Sequence, residues 1–326
     1  MVSHDAREPP GTDSRSLAAS LEPVLAEACQ GRLGKITWFK ADWQRGGAAT
    51  GTAELRLADG GPVPVVIKLP VVPRELYWTR RLQNEAADEP VVGRLYASGE
   101  TLGGYDLAWM AIERFAHGPL GLHWHEQHIP RIADAAARFH AAAAAYPIDS
   151  EPKTEPWDDL LRDAQESVRL NDIAETQRWQ AALKALRRVG DRLVDEWQNR
   201  EVGDWLHGDL HLANAMSRAS LESGPVSLID LAEIHAGHWV EDAVYLERQL
   251  WAAPDRMGAP ASRPVKRIAT ARRKLGLTVA DDYPRLAMIR RALLAGTAPK
   301  YLKTEGHPRY LMACLDQLER ALRELK

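Results

Sequence analysis

A two-lobed α+β fold is expected of this 326-residue chain, and three observations carry the expectation. Residues 36–112 hold short apolar and β-branched runs closed by turn residues, the signature of strands. From Gly118 onward, apolar positions recur at helical spacing. With 45% hydrophobic and 27% charged residues over this length, the chain can bury more core than one small domain needs. The expected division is residues 1–115, a small antiparallel-sheet lobe with one main helix, and residues 116–326, a larger and mostly helical lobe. A ligand is expected in the cleft between them.

Element by element, Leu17, Leu21, Val24, Leu25 and Ala28 make a first amphipathic helix closed near Gly31 and Gly34. Strands are expected at Ile36 to Asp42, Thr52 to Ala58 and Pro62 to Leu69, with Asp59-Gly60-Gly61 as a hairpin turn. A helix from Pro73 to Ala87 has proline at its start, where the missing N–H costs nothing. Val91 to Ala97 and Tyr105 to Ile112 complete five strands. Helices then follow at Ile129 to Ala145, Trp157 to Leu170 and Thr176 to Asn199. Two short strands, Trp205-Leu206 and Val226 to Ile229, flank a turn. The remaining helices are Trp239 to Trp251, Ser262 to Lys274, Tyr283 to Ala295 and Arg309 to Leu325.

The turn between those short strands reads His207-Gly208-Asp209-Leu210-His211-Leu212-Ala213-Asn214. An Asp and an Asn at this spacing suit metal-assisted phosphoryl transfer: the Asp orients or deprotonates an acceptor hydroxyl, and the Asn oxygen holds Mg²⁺. Asp230, delivered by the run from Val226, supplies a second hard oxygen ligand, and carboxyamide plus carboxylate suits that ion. Upstream, Lys68 lies inside the apolar strand Val63 to Leu69, where an unpaired ammonium would be costly. It needs an anionic partner, and a nucleotide phosphate is one.

The formal net charge of −3 gives no basic footprint for nucleic acid. No window approaches the length of apolar chain that a spanning helix requires, so no membrane partner is expected. Cys29 and Cys314 are too few and too far apart for a disulfide framework or a zinc site by spacing. Reduced thiols in a cytoplasm are expected, since the start of the chain lacks the basic and apolar pattern of a signal peptide. His123, His125 and His128 lack the i, i+4 spacing of a helical zinc pair and read as a polar, partly exposed turn.

Taken in order, these pieces resemble the aminoglycoside phosphotransferase and choline kinase family, the small-molecule branch of the protein-kinase-like fold. The resemblance spans roughly residues 35 to 252 and rests on several short motifs in sequence. They are Lys68 in its strand, Arg74-Glu75 opening a helix, Met110 to Phe115 at a hinge, the octet from His207, Leu228-Ile229-Asp230, and Gly237 to Ala243. Protein kinases carry Arg where Gly208 stands here, and Asp230 is followed by Leu231-Ala232 in place of Phe-Gly. No Ala-Pro-Glu follows. A phosphorylation-switched protein kinase is therefore disfavoured, and a non-catalytic nucleotide-binding scaffold would be expected to lack one of Lys68, Asp209, Asn214 or Asp230.

The resemblance implies an ATP- or GTP-dependent, Mg²⁺-dependent kinase of a small-molecule hydroxyl, with an aminoglycoside-like antibiotic foremost and hence antibiotic resistance. Amino alcohols, sugars and homoserine are the alternatives. It implies that Lys68 meets the α and β phosphates while Glu75, with Glu85 as fallback, holds its ammonium. Ile112 would line the base pocket, with the backbone of Glu113 and Phe115 against a purine. Gly46 and Gly47, in the small and flexible run Gln44 to Gly51, would cover the phosphates, although that run lacks the G-x-G-x-x-G pattern. His207 and Asp242 would support the catalytic loop from behind. Trp157 and Trp239 fall where the family builds its acceptor pocket, and His211, two residues after Asp209, either touches the acceptor or is an exposed loop histidine. Asp158 and Asp159, in the acidic run Glu155 to Glu166, either match a helix dipole or attract a cationic acceptor.

Overall fold

The structure is a computed structural model that describes residues 18–39, 48–58, 60–84, 89–258 and 263–326. Gly46, Gly47, Asp59 and Glu85 lie outside the described residues. The chain divides into two compact units, Met1–Ala116 and His117–Lys326.

In the first unit, helix α1 (Glu22–Ala28) precedes strands β1 (Thr37–Phe39), β2 (Ala49–Arg56), β3 (Pro62–Leu69), β4 (Leu95–Gly99) and β5 (Trp109–Glu113). Helix α2 (Pro73–Arg81) lies between β3 and β4 in sequence. The strands form one antiparallel sheet in the order β1-β2-β3-β5-β4. Along β3 the side chains alternate as a pleated strand requires: Val65, Ile67 and Leu69 are buried, while Val66 and Lys68 face the other way. The buried set packs with Leu25, Leu55, Trp109 and Ala111.

Helix α2 ends at Arg81, earlier than its sequence pattern suggests. The reason lies in Gln83, whose side-chain amide donates to Thr79 O (2.8 Å) and Gly93 O (3.1 Å) and accepts from Leu95 N (2.8 Å). Gln83 thus fastens the incoming β4 and leaves the helical path. Strand β4 begins at Leu95, later than expected, and carries a bulge between Leu95 and Ala97.

The second unit contains helices α3 (His128–Ala143), α4 (Trp157–Leu170), α5 (Thr176–Gln198), α6 (Val240–Arg248), α7 (Pro264–Lys274), α8 (Tyr283–Thr297), α9 (Leu302–Glu305) and α10 (Pro308–Glu324). Helix α8 is the hub: it packs against α4, α5, α6 and α10, burying Leu286, Ile289, Ala292, Leu293 and Ala295. Strands β6 (Asp204–Leu206), β7 (Ala215–Ser217), β8 (Val226–Leu228) and β9 (His235–Gly237) complete the unit.

The two short strands read from sequence do not form one hairpin. β6 pairs with β9 and β8 pairs with β7, giving two separate two-stranded sheets. Strands of three residues carry too little pattern to specify their partners, and β7 and β9 were not legible as strands at all. The histidine turn also differs from expectation, because His128 is fully buried. Its Nδ1 accepts from His125 N (3.3 Å) and its Nε2 donates to Leu221 O (2.8 Å), so both ring nitrogens are consumed locally. Among the described residues no group of three or more His, Cys, Asp or Glu could hold a metal ion.

Candidate active site

Strand β6 ends at Leu206 and delivers the buried His207. The backbone then turns through Gly208 at φ +79°, a region that favours glycine. A Cβ at this position would stand 2.1 Å from Glu233 O, so the loop has no room for any side chain. The turn is held by Asp242, the third residue of α6, whose Oδ2 accepts from His207 N (2.8 Å) and whose Oδ1 accepts from Gly208 N (2.9 Å). His140 of α3 adds a contact from its Nε2 to Asp242 Oδ2 at 3.0 Å. Burial works to raise the Asp242 carboxyl, but the His140 hydrogen bond and the loop N–H donors outweigh it and hold the group below the usual carboxylate range.

His207 Nδ1 accepts from Asp209 N (3.3 Å), which leaves Nε2 to carry the hydrogen and donate to Ile229 O (3.0 Å). Burial lowers its pKa, consistent with this neutral ring. His207 is therefore a strut between the loop and the chain leading to Asp230.

Asp209 is met by three side chains. Tyr245 O–H donates to Oδ1 at 2.8 Å, Asn214 Nδ2 donates to Oδ2 at 3.0 Å, and His211 Nε2 lies 3.2 Å from Oδ2. Asn214 Nδ2 also reaches Asp209 O at 3.0 Å. Partial burial would raise the Asp209 carboxyl, but the His211 and Tyr245 contacts overcome it and lower the pKa to about 2. Asp209 is thus an ionised, well-anchored acceptor and a weak base.

Asn214 is buried and commits its amide nitrogen to Asp209, leaving the carbonyl oxygen as the atom a hard cation takes. Asp230 is exposed and stands two residues beyond Leu228, which pairs with Ala215 next to Asn214. Ile229 N donates to Asn214 O at 3.0 Å, so the two candidate ligands sit at the same end of the β7–β8 pair. At Asp230 the chain turns at φ +64° into a short 3-10 turn, Leu231–Glu233. One amide oxygen and one carboxylate fit Mg²⁺, which is bound by few protein groups and completes its shell with water and phosphate oxygens.

In the first unit, Lys68 Nζ makes a two-point ion pair with Glu75, at 2.8 Å to Oε1 and 2.7 Å to Oε2. Glu75 is buried in the first turn of α2. At the end of β5, Glu113 N donates to Arg94 O (2.8 Å) and Glu113 Oε2 accepts from Arg94 N (3.1 Å). Ile112 is half-buried opposite Val66 of β3, and Phe115 packs near Gly93.

The candidate acceptor residues are treated differently by the fold. Trp157 and Trp239 are only 3% and 1% exposed: the first lies under the Arg290 guanidinium, the second between His238 and Tyr283. Neither ring offers a stacking face to a ligand. The acidic run is largely neutralised from within: Glu155 pairs with Arg290 (2.6 Å), Asp159 with Arg162 (2.6 Å), Asp163 with Lys300 (2.8 Å) and Glu166 with Arg169 (3.6 Å). Asp158 is exposed in the first turn of α4.

Sequence reasoning missed Tyr245 and Gln249. Asp242, Tyr245 and Gln249 recur at i, i+3 and i+7 along one side of α6 and its C-cap, and each holds part of the loop around Asp209. Gln249 Nε2 donates to Leu210 O (3.1 Å) and its Oε1 accepts from Leu212 N (3.4 Å). The spacing was present in the sequence, but a tyrosine on a half-buried helix face reads first as packing. Beyond Tyr245, Arg248 is bound by Glu305 and by Tyr310 O–H (2.8 Å).

Comparison with known proteins places this geometry. The model of the phosphotransferase enzyme family, APH, matches residues 40–289. A search of the curated proteins found no match. Among solved structures, an aminoglycoside phosphotransferase from Alicyclobacillus acidocaldarius is 13% identical with a TM-score of 0.57, over 98% of this chain and 96% of that one. The choline kinase LicA of Streptococcus pneumoniae is 12% identical with a TM-score of 0.51, over 94% and 99%. The amicoumacin kinase hAmiN, solved with AMP-PNP, Ca²⁺ and Ami, is 13% identical with a TM-score of 0.51, over 95% of each chain. At such identities the structures establish a shared two-lobed protein-kinase-like fold, and the family model establishes the rest: the chain belongs to the APH family of phosphotransferase enzymes.

Proposed function

We propose that the protein transfers the terminal phosphoryl group of ATP or GTP to a hydroxyl of a small molecule in a Mg²⁺-dependent reaction. The observation that carries this reading is the anchoring of Asp209, an ionised carboxylate fixed by Tyr245, His211 and Asn214, with Asn214's carbonyl oxygen left for a cation. Because the Asp209 pKa is about 2, its part is to orient the acceptor hydroxyl, and its strength as a base is small. Asn214 and Asp230 would hold Mg²⁺, which supplies charge neutralisation on the phosphates. Lys68, steadied by Glu75, would contact the α and β phosphates. The relative hAmiN was solved with a nucleotide analogue and a divalent cation, which supports a nucleotide and a metal here.

An aminoglycoside-like hydroxyl is the first acceptor to test. A less highly charged acceptor, an amino alcohol or a sugar, is the second reading, and the internal pairing of the acidic run favours it. The test is nucleotide turnover with ATP and with GTP across aminoglycosides, choline, ethanolamine, homoserine and sugars. Asp209→Ala is expected to cut turnover by at least about 10²-fold with nucleotide affinity intact, because the lost group acts on the acceptor. Asp230→Ala should weaken Mg²⁺-dependent nucleotide binding as well. Near wild-type turnover in the first variant, or unchanged magnesium dependence in the second, would remove that residue from its role.

A further inference from the structure

An ionised carboxylate has about four lone-pair sites, two on each oxygen. At Asp209 both sites of Oδ2 are used. Asn214 Nδ2 donates to it at 3.0 Å, and His211 Nε2 lies 3.2 Å away. The His211 tautomer follows from its other nitrogen: Nδ1 accepts from Ala213 N at 3.1 Å, so the hydrogen sits on Nε2 and points at Oδ2. Oδ1 receives one donor, the Tyr245 hydroxyl at 2.8 Å. Among the described residues one lone pair of the carboxylate is left without a donor, and it is on Oδ1.

We infer that the acceptor hydroxyl docks on Oδ1 of Asp209, beside the Tyr245 hydroxyl, and that Tyr245 is the positioning residue that keeps this oxygen turned toward the acceptor. The inference rests on the proposed role of Asp209. It adds which oxygen works and what aims it. Tyr245 can do so because its own backbone is rigid: it lies three residues after Asp242 and four before Gln249, and these two bind the same loop on either side of Asp209. Without the phenol, Oδ1 loses its donor and the carboxylate is held through Oδ2 alone, by Asn214 and His211, so its plane can tilt about χ2 and carry Oδ1 off the acceptor. The loop itself keeps its Asp242 and Gln249 contacts, so the defect should be one of aim and not of folding.

The phenol also bounds the space next to Oδ1. An acceptor hydroxyl there sits against a ring whose oxygen can accept a hydrogen bond from a neighbouring donor on the same molecule, so a vicinal hydroxyl or amine should improve an acceptor. That is a specificity the reaction class alone does not supply.

The experiment needs no identified acceptor, because water can take its place. Phosphate release from MgATP and from MgGTP is measured for the wild type, Tyr245→Phe and Asp209→Ala, together with nucleotide Kd from tryptophan fluorescence and Tm. The expected result for Tyr245→Phe is a fall in kcat of about tenfold, the scale of one hydrogen bond to a charged group, with Kd and Tm unchanged. Wild-type kcat in Tyr245→Phe beside a dead Asp209→Ala would overturn the inference and leave the reaction reading standing. Wild-type kcat in both would overturn the two together. A Tyr245→Phe protein that loses Tm and Kd in step with kcat would assign the tyrosine to the scaffold and also refute its aiming role.

Discussion

Gly208 is where a single residue's size decides what this enzyme can be. With Glu233 O 2.1 Å from a hypothetical Cβ and a φ of +79°, even alanine must displace the backbone. Gly208→Ala is expected to lower stability by at least about 2 kcal/mol and to cost turnover as well, since the displaced turn carries Asp209. Thermal melting and kcat check it; a variant with wild-type values would mean that the loop relaxes without cost. The same crowding explains why the arginine of protein kinases has no counterpart at this position. At this scale the sequence is legible in part. The candidates Asp209, Asn214 and Asp230 are singled out by spacing and by residue type, whereas the need for glycine depends on a carbonyl 25 residues away and the contact of Tyr245 on a helix that returns to the loop. Such long-range constraints leave no local pattern.

Among the elements, α6 does two jobs on two faces. One face, Asp242, Tyr245 and the capping Gln249, binds the loop around Asp209; Glu247 on the other makes a two-point pair with Arg291 of α8, at 2.7 Å on each arm. Its approach carries a buried titratable group, His238, whose pKa burial depresses to about 4 while Val240 N donates to its Nδ1. A neutral folded histidine and an unfolded one near 6.5 mean that the unfolded chain binds more protons between those values. Stability is then present above pH 6.5 and falls as pH drops toward 4, by an amount on the order of 3 kcal/mol at most. Tm should therefore decline over this window, and His238→Gln should flatten the slope; an equal slope would place the proton uptake elsewhere, at His128 or His207, whose pKa values burial also lowers. His235 works in the opposite sense, since its contact with Glu241 outweighs burial and raises its pKa. Helices and the central strands of the sheet were readable from periodicity because their faces are long. The three-residue strands were not, and their pairing had to come from the packing around them.

For the molecule as a whole, the sequence changes from strand patterns to helical ones along the chain, and the contacts divide it after Ala116. Charge was harder to read at this scale. The acidic run of α4 looks in sequence like an attractor for cations, yet its partners Arg290 and Lys300 come from the far end of the chain. Replacing Asp158 and Asp159 with Asn should leave the KM of a cationic acceptor, and its dependence on salt, close to wild type. Asp159 is already answered by Arg162, and exposed pairs contribute about 0 to 1 kcal/mol. A KM that rises steeply at low ionic strength in this variant would restore the run as an electrostatic guide.

The carboxylate of Asp242 joins a helix near the start of the second unit to a loop and a helix 67 and 102 residues further on, through His140, His207 and Gly208. Its charge is buried, and so it is tolerable only when all three partners have arrived. During refolding this makes the turn that carries Asp209 a late structure, because it is not fixed until α3 and α6 have met. Recovery of turnover after dilution from denaturant should consequently lag recovery of helical circular dichroism, and an intermediate with full helix content and no activity is the species to look for.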